Sequence, residues 1–113
     1  MKTSKLTGAA LDWAVAKCEG LNPDESGLVE IGTFKGRAIS VPIFYAPSQN
    51  WAQGGPIIER EEINLWTEGY TAWEATSGGC QEWGSTPLIA AMRCYVASKL
   101  GDEVDVPEEL MEV

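Results

Sequence analysis

The sequence predicts an α+β domain in which two main helices pack on a small, mostly antiparallel β-sheet. In two segments apolar residues recur at helical spacing, and residues that favour helix ends flank them. Between these segments, apolar and polar residues alternate as they do in β-strands. The chain has 113 residues, which is the length of a single domain. We expect residues 1–101 to form its globular core and residues 102–113 an acidic tail that docks partly on that core.

The first helix is expected over Gly8–Cys18, where apolar residues recur at helical spacing. The hydroxyl of Thr7 is placed to cap its first turn, and Gly20 is placed to end it in a left-handed conformation. Asp12 is expected on the exposed side of this helix, and Trp13 beside its apolar stripe.

Strands are expected from Leu28 to Phe44, with Lys35-Gly36 as the tip of a hairpin. Pro42 cannot donate to a ladder, so its strand is expected at a sheet edge. Residues 45–56 show no regular periodicity and are predicted to form a loop. Three short strands are predicted after it, at Ile57–Glu59, Ile63–Trp66 and Tyr70–Ala75.

The second helix is expected from Pro87 to Leu100. Thr86 suits its N-cap, Pro87 suits its first position, and Gly101 suits its end. The tail after it carries six acidic residues interleaved with apolar ones, which is why we expect it to dock in part.

The composition excludes several classes of function. A net charge of −9 argues against direct binding of nucleic acid or of an anionic membrane. The chain has no histidine, so Ser-His and Cys-His nucleophile pairs and histidine zinc sites are absent. No metal-ligand spacing or paired nucleophile and base is present, so we expect no catalytic residues, metal or cofactor. No apolar run suits a membrane span, and the N-terminus lacks the features of a secretory signal.

Five tryptophans stand out in so short a chain. Trp66 and Trp73 lie in predicted strands and are the best candidates for the core. Trp51 lies in a polar, glycine-rich segment, where an exposed indole is a good platform for stacking a nucleobase. Gln53 after it can donate and accept hydrogen bonds, and Gly54-Gly55 allows a ligand to approach the backbone closely. The alternative is a glycine turn that leads into the next strand.

Two further residues complete the candidate ligand site. Arg60 follows the glycine pair within five residues and could bind a phosphate, although it could equally pair with Glu59, Glu61 or Glu62. Thr86 opens a strong helix whose N-terminus could bind an anion, although an ordinary cap is the alternative.

Three blocks of the sequence together resemble the NinX-like family of small phage and prophage proteins. They are Leu6–Lys17, then Tyr45–Ser48 with Trp51–Ile58, then Thr86–Gly101. The family is one of unknown function, so the resemblance implies a phage accessory protein in the host bacterial cytoplasm and no particular enzymology.

By analogy with phage proteins that sequester signals, we expect a non-enzymatic sponge for a nucleotide-derived antiviral signal of the host. The ligand would be a cyclic ADP-ribose-like molecule or a cyclic dinucleotide, and the protein a homo-oligomer. One alternative is an acidic inhibitor that binds a host or defence protein. The other is a small carboxylate-dependent hydrolase of a nucleotide signal. A concave pocket at Trp51 favours the sponge, a flat acidic face favours the protein partner, and two carboxylates facing a pocket favour the hydrolase.

Overall fold

A computed structural model describes residues 1–24, 27–34, 37–67, 69 and 72–110. Three helices and five strands are present in this part of the chain, which confirms the predicted α+β class. In chain order they are α1 (Gly8–Cys18), β1 (Leu28–Phe34), β2 (Arg37–Phe44), α2 (Trp51–Arg60), β3 (Asn64–Trp66), β4 (Trp73–Ser77), β5 (Cys80–Gly84) and α3 (Pro87–Leu100). Short 3₁₀ turns lie at Thr3–Lys5 and Glu108–Leu110.

The two predicted helices are confirmed as α1 and α3 at the expected bounds. The Thr86 hydroxyl caps α3 by accepting a hydrogen bond from the Ile89 amide at 3.1 Å. The cap predicted for α1 is wrong, because the Thr7 side chain makes no capping hydrogen bond. Gly20 has the positive φ predicted for it, 77°.

The strands form two separate antiparallel sheets in place of the one sheet expected. β1 and β2 pair as a hairpin, and β3, β4 and β5 form a three-stranded meander in that order. The predicted hairpin tip, Lys35-Gly36, lies outside the described residues. Tyr70 and Thr71, from the strand predicted at Tyr70–Ala75, also lie outside the described residues. The observed strand in this region, β4, starts at Trp73.

α2 occupies a segment that was predicted to be a loop followed by a short strand. Residues 51–60 are helical, so both the loop over residues 45–56 and the strand at Ile57–Glu59 are wrong. Asn50 caps the helix, because its side chain accepts a hydrogen bond from the Ala52 amide at 2.9 Å. The helix includes Pro56 and two glycines, which have low helical propensity, so packing must hold it.

α3 is the centre of the fold. It is buried on most sides, and it packs against the inner face of the meander as well as against α1 and α2. The main core accordingly forms around it, with Leu11, Ile57, Ala75 and Met92 among its members.

The described part of the acidic tail lies beside the N-terminus. Val104 exchanges backbone hydrogen bonds with Met1 at 2.8 and 2.9 Å. Val104 and Val106 are buried in the main core, while the acids between and around them are exposed.

Candidate functional site

α2 and α3 lie side by side and run in the same direction. Near their starts, Gly54 packs against Leu88. Near their ends, the Arg60 guanidinium lies 5.7 Å from the centre of the Tyr95 ring. The N-termini of both helices therefore reach the same end of the molecule.

A groove of about 250 Å³ opens between these two N-termini. Its walls are Ser48, Gln49, Trp51, Thr86, Pro87, Leu88 and Ile89. The Trp51 side chain is 54% exposed, so its ring is accessible to a ligand. Of the six predicted site residues, the groove brings together Trp51 and Thr86. Their approach depends on the packing of α2 on α3.

The groove has the electrostatic character of an anion site. Each helix N-terminus carries a partial positive charge from the aligned peptide dipoles. Part of the first amides is already satisfied, since Asn50 accepts from Ala52, Thr86 accepts from Ile89, and Pro87 has no N–H. Two such termini adjoin here, and the described residues that line the groove are all uncharged. The groove thus combines an exposed indole, backbone amides and small polar side chains in a strongly acidic protein.

The other residues of the predicted glycine-rich segment make structural contacts, either within α2 or with the segment that precedes it. The Gln53 side chain accepts a hydrogen bond from the Ala46 amide at 2.6 Å and donates one to the Phe44 carbonyl at 2.8 Å. It therefore fixes the segment that leads into the helix. A Cβ on Gly54 would lie 2.4 Å from the Pro47 carbonyl oxygen, so Gly54 is needed for close packing. Gly55 has more space: a Cβ there would come no closer than 4.0 Å to Trp51.

Arg60 lies at the opposite end of α2 from the groove, in a cluster of charged groups. Its guanidinium donates to both carboxylate oxygens of Glu19 at 3.0 and 2.7 Å, and to Glu61 at 2.9 Å. It also donates to the Tyr95 hydroxyl at 3.2 Å. Of the three glutamates that could pair with Arg60, Glu61 does so. Arg60 therefore ties α2 to α1 and α3, and phosphate binding by it stays a prediction.

The pKa shifts in this cluster follow from the same bonds. The hydrogen bonds from Arg60 lower the pKa of Glu19 despite its partial burial, and they lower that of Glu61 in the same way. The pKa of Tyr95 is raised, first by burial and then by its hydrogen bond to Glu19. These groups stay in one charge state around neutral pH, which suits a structural clamp.

A second cleft lies between α1 and the hairpin, and no sequence motif indicates it. It measures about 70 Å³ and is lined by Trp13, Phe44 and Tyr45 with the carboxylates of Asp12 and Asp24. Asp12 was expected at the surface but is buried, because α1 is covered on that side by the segment after β2. The sequence signal was Ala16, an apolar residue one turn further along the same face of α1, which is also buried.

The Asp12 carboxyl is held by that segment. The Ser48 amide donates to it at 2.9 Å, and the buried Ser48 hydroxyl faces it without a hydrogen bond of good geometry. Burial raises the pKa of Asp12, and the contacts with Ser48 oppose the rise. Burial also raises the pKa of Tyr45 in the same cleft, to about 12.

The remaining tryptophans divide between core and surface. Trp13 and Trp73 pack against the main core, as predicted for Trp73. The prediction for Trp66 is wrong, since its side chain is 54% exposed, and Trp83 is 50% exposed. Trp66 lies on a three-residue strand, where sequence alternation is too short to indicate which face is covered.

Two kinds of feature are absent from the described residues. Over these residues no helix has the length and apolar character needed to cross a membrane. Nor do three cysteine, aspartate or glutamate side chains within the same residues gather closely enough to hold a metal ion.

Comparison with known proteins identifies the family. The family model described as "Bacteriophage P22, NinX" matches residues 2–99, which include α1, α2, both sheets and all but the last residue of α3. The search of curated proteins finds no significant match. A match over this much of the chain confirms the resemblance drawn from the three sequence blocks. The chain belongs to the NinX family of bacteriophage proteins.

Proposed function

We propose that this phage protein is a non-enzymatic sponge that sequesters a nucleotide-derived antiviral signal of the bacterial host. The observation that carries the proposal is the exposed Trp51 indole beside two adjoining helix N-termini. An indole stacks on any nucleobase, and helix N-termini favour phosphate. The groove therefore offers one feature for each half of a nucleotide.

The size of the groove supports a site that is shared between two copies of the chain. Pockets for small ligands usually measure about 300–1,000 Å³, and this open groove measures about 250 Å³. A cyclic dinucleotide would be only partly enclosed by it. A second copy of the chain placed over the groove would complete the enclosure, so the proposal includes a homo-oligomer with its sites at the subunit interface.

Sequestration requires tight binding without conversion. A sponge that fills its site at sub-micromolar signal needs a binding free energy better than about −8 kcal/mol. Among the residues that line the groove none is a carboxylate, lysine, tyrosine or cysteine, as far as the structure describes them. The groove itself thus offers stacking, hydrogen bonds and the hydroxyls of Ser48 and Thr86, and its own lining holds no base to activate them.

Native mass spectrometry against lysate from infected, defence-active bacteria tests the proposal. The expected result is a bound small molecule, at one equivalent per site, that is recovered unmodified after denaturation. Trp51→Ala should lose this mass, while Phe44→Ala, which removes another exposed aromatic ring, should retain it. Absence of any bound nucleotide from the wild-type protein would overturn the proposal.

A second candidate function rests on the cleft between α1 and the hairpin. Two carboxylates, Asp12 and Asp24, line it, and this arrangement favours a carboxylate-dependent hydrolase of a nucleotide signal. Its volume of about 70 Å³ admits only a small part of a nucleotide. Incubation with excess cyclic nucleotide distinguishes the two functions, because many equivalents of product, lost in Asp12→Asn, would establish the hydrolase and refute the sponge.

A further inference from the structure

The outer face of the meander carries a row of side chains that the groove does not use. In the sheet register Trp66 lies opposite Glu74, and Glu74 lies opposite Trp83. Residues directly opposite each other in antiparallel strands point to the same face. Ala75, next to Glu74, is buried in the core on the inner face. Trp66, Glu74 and Trp83 therefore form one row on the outer face, with Glu74 half-buried between two exposed indoles, which we call the Trp–Glu–Trp row.

The two indoles of this row are separated by one strand. Their side chains are 54% and 50% exposed. Neighbouring strands lie about 4.8 Å apart, so the two tryptophan backbones are roughly 10 Å apart. A planar group in contact with a ring on each side needs about 7 Å between the rings, at roughly 3.5 Å for each contact. The spacing accommodates one planar group above Glu74.

The Glu74 carboxylate is positioned and carries an unneutralised charge. Gln81 Nε2 donates to its Oε1 at 2.9 Å. Within the described residues no lysine or arginine forms an ion pair with it. The next row of the same face holds Asn64, Thr76 and Gln81, which are uncharged and able to form hydrogen bonds.

We propose that the Trp–Glu–Trp row binds an arginine side chain of a protein partner. A guanidinium is planar, so it can stack on indole rings, and its parallel N–H groups match a carboxylate. A lysine ammonium carries the same charge but has no planar group that could stack on an indole. The net charge of −9 attracts a basic partner. Exposed tryptophans with a polar rim are also typical of the energetic centre of protein interfaces.

This inference is independent of the nucleotide groove, and its test uses a separate probe. Wild-type protein is titrated with a capped peptide whose only charged residue is one arginine, and the indole N–H resonances are followed by NMR. The resonances of Trp66 and Trp83 should shift together, and that of Trp51 should not. The matched lysine peptide should bind at least fivefold more weakly.

Two variants distinguish binding at the Trp–Glu–Trp row from general electrostatic attraction to an acidic protein. Glu74→Gln should weaken arginine binding at least fivefold. Glu59→Gln removes the same charge from an exposed position on α2 and should change binding by less than twofold. Equal effects of the two variants, equal binding of arginine and lysine, or tighter binding of a guanine nucleotide to the same two indoles would each overturn the proposal.

Discussion

The two ends of α2 differ in how their polar groups are satisfied. At the N-terminal end, Trp51 is half exposed beside the uncharged groove and the start of α3. At the C-terminal end, Arg60 forms hydrogen bonds with Glu19, Glu61 and Tyr95. The sequence places both ends within ten residues and suggests one site. The structure separates them into an end that is open to a ligand and an end that stabilises the fold.

This difference bears on the prediction that Arg60 binds a phosphate. Arg60 has the right chemistry for phosphate, but its donors already meet carboxylates. To bind a ligand it would have to give up bonds that join three helices. The N-terminal end offers fewer charges, and Asn50 caps its Ala52 amide. The Trp51 indole at this end is 54% exposed and is not held by such bonds.

The largest expected effect concerns the packing that creates the groove. Gly54→Ala should destabilise the protein by about 1–3 kcal/mol, the range for overpacking a tight contact. Its Cβ would lie 2.4 Å from the backbone oxygen of Pro47 and 2.7 Å from Leu88, so α2 would have to move. Urea unfolding followed by circular dichroism measures the change.

Gly55→Ala is the matched control for this substitution. Its Cβ meets nothing nearer than 4.0 Å, and alanine is favoured over glycine in a helix by roughly 0.5–1 kcal/mol. It should therefore stabilise the protein. If both variants had the same effect, close packing of α2 on α3 would not be what holds this helix.

The next prediction concerns the C-terminal end of α2. Arg60→Ala should lower the free energy of unfolding by about 1 kcal/mol, the upper range for an exposed ion pair, because Glu19 and Glu61 lose their partner. Trp51→Ala should change it by less than about 0.5 kcal/mol, since its ring is exposed. Thermal and urea unfolding of both variants give the comparison.

The Arg60 effect should also depend on pH. Because the Arg60 bonds lower the pKa of Glu19 below its usual 4.5, their contribution is present above pH 4.5. It should be lost as the pH falls through the pKa of the folded state. A deficit in Arg60→Ala that persisted in acid would contradict an electrostatic clamp.

A smaller effect, of the opposite sign, is expected at Asp12. Burial raises its pKa above 3.8, so the folded protein holds the Asp12 proton more tightly than the unfolded chain. Ionisation of Asp12 therefore costs stability as the pH rises past 3.8. Asp12→Asn keeps an acceptor for the Ser48 amide and removes the charge.

Asp12→Asn should accordingly be more stable than the wild type near neutral pH, and the gain should vanish as the pH falls towards 3.8. Asp105→Asn removes the same charge from the exposed tail and should show no such pH-dependent gain. Chemical unfolding across pH 3–8 measures both. A loss of stability at pH 7 in Asp12→Asn would mean that the ionised carboxylate is favourable in the fold.

Prediction from sequence succeeded where local signals are strong. α1 and α3 have helical spacing and clear end residues, and the hairpin has alternating strands. α2 was missed because glycine and proline disfavour a helix locally, whereas the contacts of Gly54 with Pro47 and Leu88 hold it in the fold. Those contacts join separate elements and leave no local pattern.

The candidate site was predictable to a similar degree. Trp51 and Thr86 could be selected from their surroundings in the sequence, and they do line one groove. The bond from Arg60 to Glu19 could not be anticipated, since Glu19 lies 41 positions earlier in the chain, whereas pairing with the adjacent Glu61 was among the alternatives. The Trp–Glu–Trp row likewise depends on strand register, which short strands do not specify.

We propose that the ligand binds at the N-terminal end of α2 and not through Arg60, which the sequence predicts as a phosphate contact. Isothermal titration of cyclic ADP-ribose and of cyclic dinucleotides into wild-type, Trp51→Ala and Arg60→Ala proteins tests it most directly. Circular dichroism first establishes that each variant is folded at the temperature used. The account predicts that at least one of these nucleotides binds the wild type, that Trp51→Ala weakens it at least tenfold, and that Arg60→Ala binds within about twofold of wild type. Binding that survives in Trp51→Ala and is lost in Arg60→Ala would contradict it.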